Sequence, residues 1–315
     1  MGKASRTKVD SGRRERIAAQ RAAERRAEQR RRILIAAGSI IAVVAIVVAF
    51  IVVKANSKPP ATASSNGPTG AAVASVVSDL TSVPASTSDK IGDGGGQVSG
   101  KPKAVTNGTP LTANGKPEML YMGAEYCPYC AAERWAMIQA LSRFGTFSGL
   151  STVHSGSVNG AGQAEPYPDT PTFTFHGSSY TSKYLTFTPV ETQTNIPDKT
   201  NGGYTSLETP TKDQQALLTK YDVPPYVPSG SEGAIPFVYF GGKYIIAGAS
   251  YSPQVLSGLS WSKIASEVKN NPNGNVAKAI VGTANYITAA ICKMTGNQPA
   301  SACTSTIQSL ESSLK

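Results

Sequence analysis

Residues 33–53 read ILIAAGSIIAVVAIVVAFIVV, twenty-one residues with no charge and no proline. At about 1.5 Å of rise per residue a helix of this length spans roughly 30 Å, the thickness of a bilayer's hydrocarbon core. A core helix of a water-soluble domain would carry a polar stripe, and this run carries none. It is also too long for the apolar part of a cleaved signal peptide, and no clean small-x-small cleavage site follows it. The expectation is one retained transmembrane helix. That assignment divides the chain into a basic tail (1–32), the span (33–53), a small, polar, Pro/Gly-broken stalk (54–70) and a folded domain (71–315).

Charge orients the span. Residues 1–32 hold 12 Lys/Arg against 4 Asp/Glu, whereas the other 283 residues carry 18 against 16. The net charge of +10 therefore belongs mostly to the tail, and it is no nucleic-acid signature, because no aromatic or motif residues interleave the charges. Arg30, Arg31 and Arg32 abut the apolar run, while only Lys54 and Lys58 follow it. By the positive-inside rule the tail is cytoplasmic, where it would touch anionic lipid headgroups, and everything after the span is extracytoplasmic. The expected location is the cell membrane, with a single pass. All four cysteines then lie outside, where disulfides form and persist.

Within the domain, Val73, Val76, Val77 and Leu80 recur at helical spacing, and residues 93–100 are a Gly-rich loop. Residues 119–124 are a short apolar run suited to a buried strand. A Cys-x-x-Cys pair follows at once, and residues 131–144 then show a helical stripe of Trp135, Ile138, Leu141 and Ser142 ended by Gly145. Residues 150–154 and the Thr/Phe/Tyr-rich stretch 172–190 predict strands, and PTKDQQALLTKY, 210–221, predicts a helix. AIPFVYFGGKYIIAGASY, 234–251, is two β-rich runs around Gly241 and Gly242, a hairpin signal. With two histidines in the chain, His154 and His176, a His-rich metal site is not expected, and both read as ordinary polar residues. Trp135 reads as core, and Tyr180, Tyr184 and Phe187 as sheet packing.

The pair itself, Cys127-Pro128-Tyr129-Cys130, carries the chemistry. At a helix N-terminus the unpaired N–H groups and the helix dipole favour a thiolate on Cys127, and the thiolate is the nucleophile of disulfide exchange. Cys130, one turn on, can reach back to resolve a mixed disulfide. Pro128 is tolerated in the first turn. Two other readings compete with a redox dithiol. A structural metal site needs four ligands, usually from two such pairs, and Cys292 and Cys303 have ten residues between them. A plain structural bridge remains possible for 127 and 130. For Cys292 and Cys303 a structural disulfide stapling two helical segments is the leading reading, and a relay to the first pair is the alternative. Ile235-Pro236 opens a strand in a place that suits a cis bond. Glu125, two residues before Cys127, would raise the thiol's pKa if it lay close.

The order of strand, Cys-x-x-Cys, helix, intervening segment, Pro-led hairpin and terminal helix resembles the thioredoxin-like fold. CPYC is similar to the tetrapeptide of glutaredoxins, and the plan is similar to that of periplasmic thiol oxidases. The longer runs MLYMGAEYCPYCAAERWAMIQALSRFGTFSGL and TFTFHGSSYTSKYL resemble an uncharacterised prokaryotic family of membrane-anchored, thioredoxin-like proteins, over most of residues 72–310. The chain departs from the thioredoxin pattern in lacking WCGPC and in a large segment between helix and hairpin. The resemblance implies an α/β, thioredoxin-like fold with an insertion and a C-terminal helical extension, and a substrate-positioning role for Ile235 and Pro236 beside the dithiol. The function expected is thiol–disulfide exchange on exported proteins, with no cofactor or metal and with a membrane redox partner to recycle the dithiol. A non-enzymatic, surface-anchored binding or adaptor domain with structural disulfides is the alternative.

Overall fold

The computed structural model describes residues 67–314. The expected basic tail, the apolar run 33–53 and most of the stalk lie outside the described residues, and among the described ones no helix is long and apolar enough to cross a membrane. The last stalk residues belong to the domain, since Thr152 donates a hydrogen bond of 2.8 Å to the Pro68 carbonyl.

The described part is a mixed α/β structure around a six-stranded mixed sheet. Two helices come first, α1 (Ala71–Thr81) and α2 (Ala85–Ile91), followed by the short strands β1 (Lys103–Ala104) and β2 (Thr112–Ala113). The centre of the sheet is β3 (Lys116–Gly123), which leads directly into α3 (Pro128–Leu141). Residues 142–236 form the large segment anticipated between helix and hairpin. It contains β4 (Gly145–Ser148), β5 (Ser151–His154), β6 (Pro171–Thr174), β7 (Ser179–Ser182), β8 (Thr186–Glu191), β9 (Gln193–Asp198), β10 (Gly203–Ser206) and α4 (Lys212–Tyr221). The hairpin β11 (Phe237–Phe240) and β12 (Tyr244–Ala247) follows, then a 3-10 turn (Pro253–Leu256) and the helices α5 (Trp261–Asn270), α6 (Asn275–Met294) and α7 (Ser305–Ser313).

β3 pairs in parallel with β8 on one side, Met119 opposite Phe187, and antiparallel with β11 on the other, Met119 opposite Phe240. β11 pairs antiparallel with β12, and β12 with β1. β4 with β7, β5 with β6, and β9 with β10 form separate two-stranded ribbons. Gly241 and Gly242 turn the hairpin at φ of 55° and 87°, a region open to glycine at no steric cost.

Period-two alternation divides the sheet's side chains between two cores. Met119, Tyr121, Val238 and Phe240 point into the main core, shared with α3 and α6. Leu120, Met122, Phe237 and Tyr239 point the other way, where Leu217 and Tyr221 of α4 cover them. Both faces of β3 and β11 are thus buried, which is why their sequences are continuously apolar rather than alternating. α3 corrects one expectation. Instead of burying a stripe it is buried all round, and among its residues only Tyr129 is exposed, so Glu133, Arg134 and Gln139 also lie inside. The apolar count of the helix could not show this, because the layer that covers its far side comes from α6 and from the segment inserted after it.

Candidate functional site

Cys127 is the N-cap residue of α3, with extended backbone at φ −70° and ψ 118°, and Pro128 occupies the first turn. The Cys127 Sγ accepts a hydrogen bond from the Cys130 N–H at 3.2 Å, which satisfies one of the helix's free N-terminal donors. Its S–H donates to the Ile235 carbonyl at 3.6 Å. The Ile235–Pro236 peptide is cis. Four residues picked out separately in the sequence, Cys127, Cys130, Ile235 and Pro236, are therefore brought together at the ends of β3 and β11. Cys127 is 4% exposed and Cys130 0%, and both are free thiols. They share a small cluster with Ala124, flanked by Tyr126 and Ile235.

The two thiols differ electrostatically. Burial pushes the Cys127 thiol up, but hydrogen bonds from the Cys130 side chain and N–H, together with the Arg134 charge, outweigh it and hold the thiol below its ordinary value. Burial, the bond to Cys127 and the Cys127 charge push the Cys130 thiol well up. This asymmetry leaves Cys127 the more readily ionised thiol of the two and Cys130 the one held protonated.

Beneath the pair lies a buried charge that sequence reasoning missed. Arg134 and Glu191 are both 0% exposed and meet at 2.9 Å. Arg134 Nη1 donates to both Glu191 oxygens, to the Tyr121 hydroxyl at 3.2 Å and to the Ala124 carbonyl at 3.2 Å. Burial raises the Glu191 carboxyl, Arg134 pulls it down and Glu125 pushes it up, and the result is about 7. A signal was present in AAERWAMIQAL: Arg134 sits four residues after Cys130, on the same side of the helix.

Glu125 is itself buried, and burial raises its carboxyl, opposed by the Thr174 hydroxyl and the Arg134 charge. The largest electrostatic influences on it come from Thr174, Arg134, His176 and Glu208. With Glu125 in this position the Cys127 thiol is still shifted downward overall. The aromatic residues beside the dithiol are ones the sequence did not single out, whereas those read as sheet packing do pack in the core. Tyr180 and Phe187 pack with Phe147 and Phe175 in the main core. Beside the dithiol, Tyr126 stacks on Tyr204 at 4.3 Å, and Tyr129, 39% exposed, meets Tyr167 edge-on at 5.9 Å. Tyr167 and Tyr204 come from the inserted segment, so only the tertiary fold could reveal them.

The remaining sequence-predicted residues behave as structural groups. His154 packs edge-on against Trp261, and His176 Nδ1 meets Glu208 at 2.6 Å. Trp135 is fully buried and donates from Nε1 to the Pro171 carbonyl at 2.8 Å. Cys292 and Cys303 form a disulfide with Cα atoms 5.8 Å apart, tying the last turn of α6 to the residue before the α7 N-cap. Among the described residues no cluster of His, Cys, Asp and Glu is arranged to hold a metal ion.

Residues 103–293, more than half of the chain, match the family described as "Domain of unknown function (DUF929)". The chain belongs to this family. The matched span holds the whole central sheet, the dithiol, Arg134, Glu191 and the Ile235–Pro236 bond, but it stops short of Cys303 and α7. The disulfide thus joins the matched span to residues beyond it. No curated protein and no solved structure matches the chain.

Proposed function

We propose that this protein is a membrane-anchored thiol–disulfide oxidoreductase whose thioredoxin-like domain works on exported proteins. The observation that carries the reading is the position of Cys127: a thiol at a helix N-cap, held below its ordinary pKa, with a protonated Cys130 one turn on and the Ile235 carbonyl against its sulfur. The sheet supports the thioredoxin-like reading, since a parallel β3–α3–β8 unit is joined by an antiparallel hairpin led by a cis-proline. Residues 33–53 would anchor the domain outside the membrane, with the basic tail on anionic lipid inside.

The chemistry balances as two sulfur exchanges. The Cys127 thiolate attacks a substrate disulfide, forming a mixed disulfide and releasing one substrate sulfur as a thiolate. The Cys130 sulfur, giving up its proton, then attacks Cys127 and expels the second substrate thiolate. The two leaving thiolates take up protons, and the pair of electrons lost by the dithiol resides on the substrate as two thiols. The reverse sequence oxidises a substrate dithiol, and a membrane redox partner resets the pair. Cys127 is nearly buried, so substrate must approach from the side lined by Tyr126, Tyr129 and Ile235.

Expressing the full-length chain with Cys130→Ser tests this. The variant should accumulate mixed disulfides with exported proteins through Cys127, reversed by reductant and absent from Cys127→Ser. If Cys130→Ser traps nothing, and the wild-type 127–130 pair resists reduction as a structural bridge does, the enzyme reading fails and an anchored binding domain takes its place.

A further inference from the structure

A fully buried guanidinium calls for a reason other than stability. Replacing a buried ion pair by apolar side chains is often neutral or stabilising, so such a pair is weak evidence of a contribution to folding. Arg134 is nonetheless held from every side. Besides Glu191, Tyr121 and the Ala124 carbonyl, its Nη2 donates to the Glu125 carbonyl at 3.4 Å and its Nε to the Thr172 hydroxyl at 3.4 Å. Ala124 and Glu125 lead into the dithiol, and the Ala124 carbonyl that receives Arg134 also receives the Cys127 N–H, at 3.3 Å. The charge therefore sits under the turn that presents Cys127 and one helical turn from Cys130.

We propose that Arg134 is the positioning residue of the dithiol, that its charge stabilises the reduced, thiolate-bearing state, and that Glu191 attenuates this effect, so that the site is poised as an oxidant of exported thiols. The inference rests on the exchange reading above. The ionisable groups facing the guanidinium are Tyr121 from β3, Glu125 from the turn, Cys127 and Cys130 from the helix start and Glu191 from β8. Of these, the cysteines are the groups whose charge the exchange itself changes. In the reduced state a thiolate lies in the field of Arg134, whereas in the Cys127–Cys130 disulfide no sulfur charge remains to be stabilised. A group that favours only the reduced form makes the disulfide a stronger oxidant. In the oxidising direction two electrons pass from a substrate dithiol to the Cys127–Cys130 bond, a disulfide forms on the substrate, and the substrate's thiol protons are released to the protein dithiol or to solvent.

Three variants of the full-length protein in detergent test this: Arg134→Gln, Arg134→Lys and Glu191→Gln. The readouts are the pH profile of Cys127 alkylation by iodoacetamide and the dithiol–disulfide equilibrium in glutathione buffers, with near-ultraviolet circular dichroism as the fold control. Arg134→Gln should move the alkylation midpoint up and slow alkylation at mildly acid pH on the order of tenfold. The same variant should hold more of the disulfide at a given glutathione ratio. Arg134→Lys should recover part of both effects, and Glu191→Gln should move both in the opposite direction. If Arg134→Gln fails to fold, Glu191→Gln decides: a midpoint moved down supports the assignment and an unmoved one overturns it. A reactive wild-type Cys127 indifferent to these substitutions overturns only the role of Arg134. An unreactive wild-type Cys127 overturns the exchange reading and this inference with it.

Discussion

Removing the Cys292–Cys303 disulfide separates a structural from a redox role for the second cysteine pair. The perturbation is the double substitution Cys292→Ala with Cys303→Ala. The bridge closes a loop of 11 residues' separation, and chain-entropy bookkeeping for such a loop comes to about 9 cal/mol/K, or roughly 3 kcal/mol near room temperature. Both cysteines are buried in the main core beside Ile291 and Ile307, so losing two sulfur atoms adds a cavity contribution of about 1 kcal/mol. A total of about 4 kcal/mol should lower the Tm of a domain of this size by roughly 10 °C. The assay is thermal and urea unfolding of the full-length protein, with mass spectrometry confirming the intact bridge in the wild type. Exchange activity is measured in parallel, well below both transition temperatures. The dithiol occupies a separate small cluster with Ala124, so its activity should be unchanged. A loss under about 1 kcal/mol would refute the stapling argument. Lost exchange in a folded variant would show that the second pair relays electrons to the first.

Two further predictions concern the support of the site. Burial raises Glu133 from 4.5 to about 7, against the N–H and hydroxyl of Ser250 that hydrogen-bond its two oxygens. Because the folded state binds the proton more tightly than the unfolded chain, the stability this group contributes is present below pH 4.5 and is lost as pH rises through about 7. Glu133→Gln should flatten urea-measured stability over that window, by up to about 3 kcal/mol, and identical slopes in variant and wild type would sink the assignment. Thr211 caps α4 in a reciprocal box: the Gln214 N–H donates to its hydroxyl at 3.2 Å, and its own N–H donates to the Gln214 side chain at 2.8 Å. Thr211→Ala should therefore cost about 1 kcal/mol in denaturant unfolding, and no measurable change would show that the cap is idle.

The local chemistry of the sequence was sufficient for a good part of this structure. Proline in the first turn after Cys127, paired glycines between β-rich runs and an apolar stretch before the dithiol each act within a few residues. The helix start, the hairpin and the central strand were accordingly legible. So was the pairing of Cys292 with Cys303, because a short loop with turn residues brings them together without help from the rest of the chain. The expectation that residues 33–53 span a membrane rests on composition alone, and these residues lie outside the described ones.

What only the tertiary structure decided is everything that depends on contacts between distant segments. The stripe on α3 looked amphipathic because helical periodicity records composition and not the number of layers around a helix, and here α6 and the inserted segment bury the polar side as well. The Tyr167 and Tyr204 rings reach the dithiol from some 40 and 80 residues downstream in the chain. Glu125, close to Cys127 in sequence, turns its carboxyl into a different environment, whereas Glu191, more than sixty residues from the pair, meets the guanidinium beneath it. Cys-x-x-Cys spacing fixes how two sulfurs can meet. Hydrogen bonds within the motif act first on the Cys127 thiol, and the Arg134 charge that adds to them, with Glu191 as its buried partner, depends on which side chains the fold places there, because burial removes the water that would screen them.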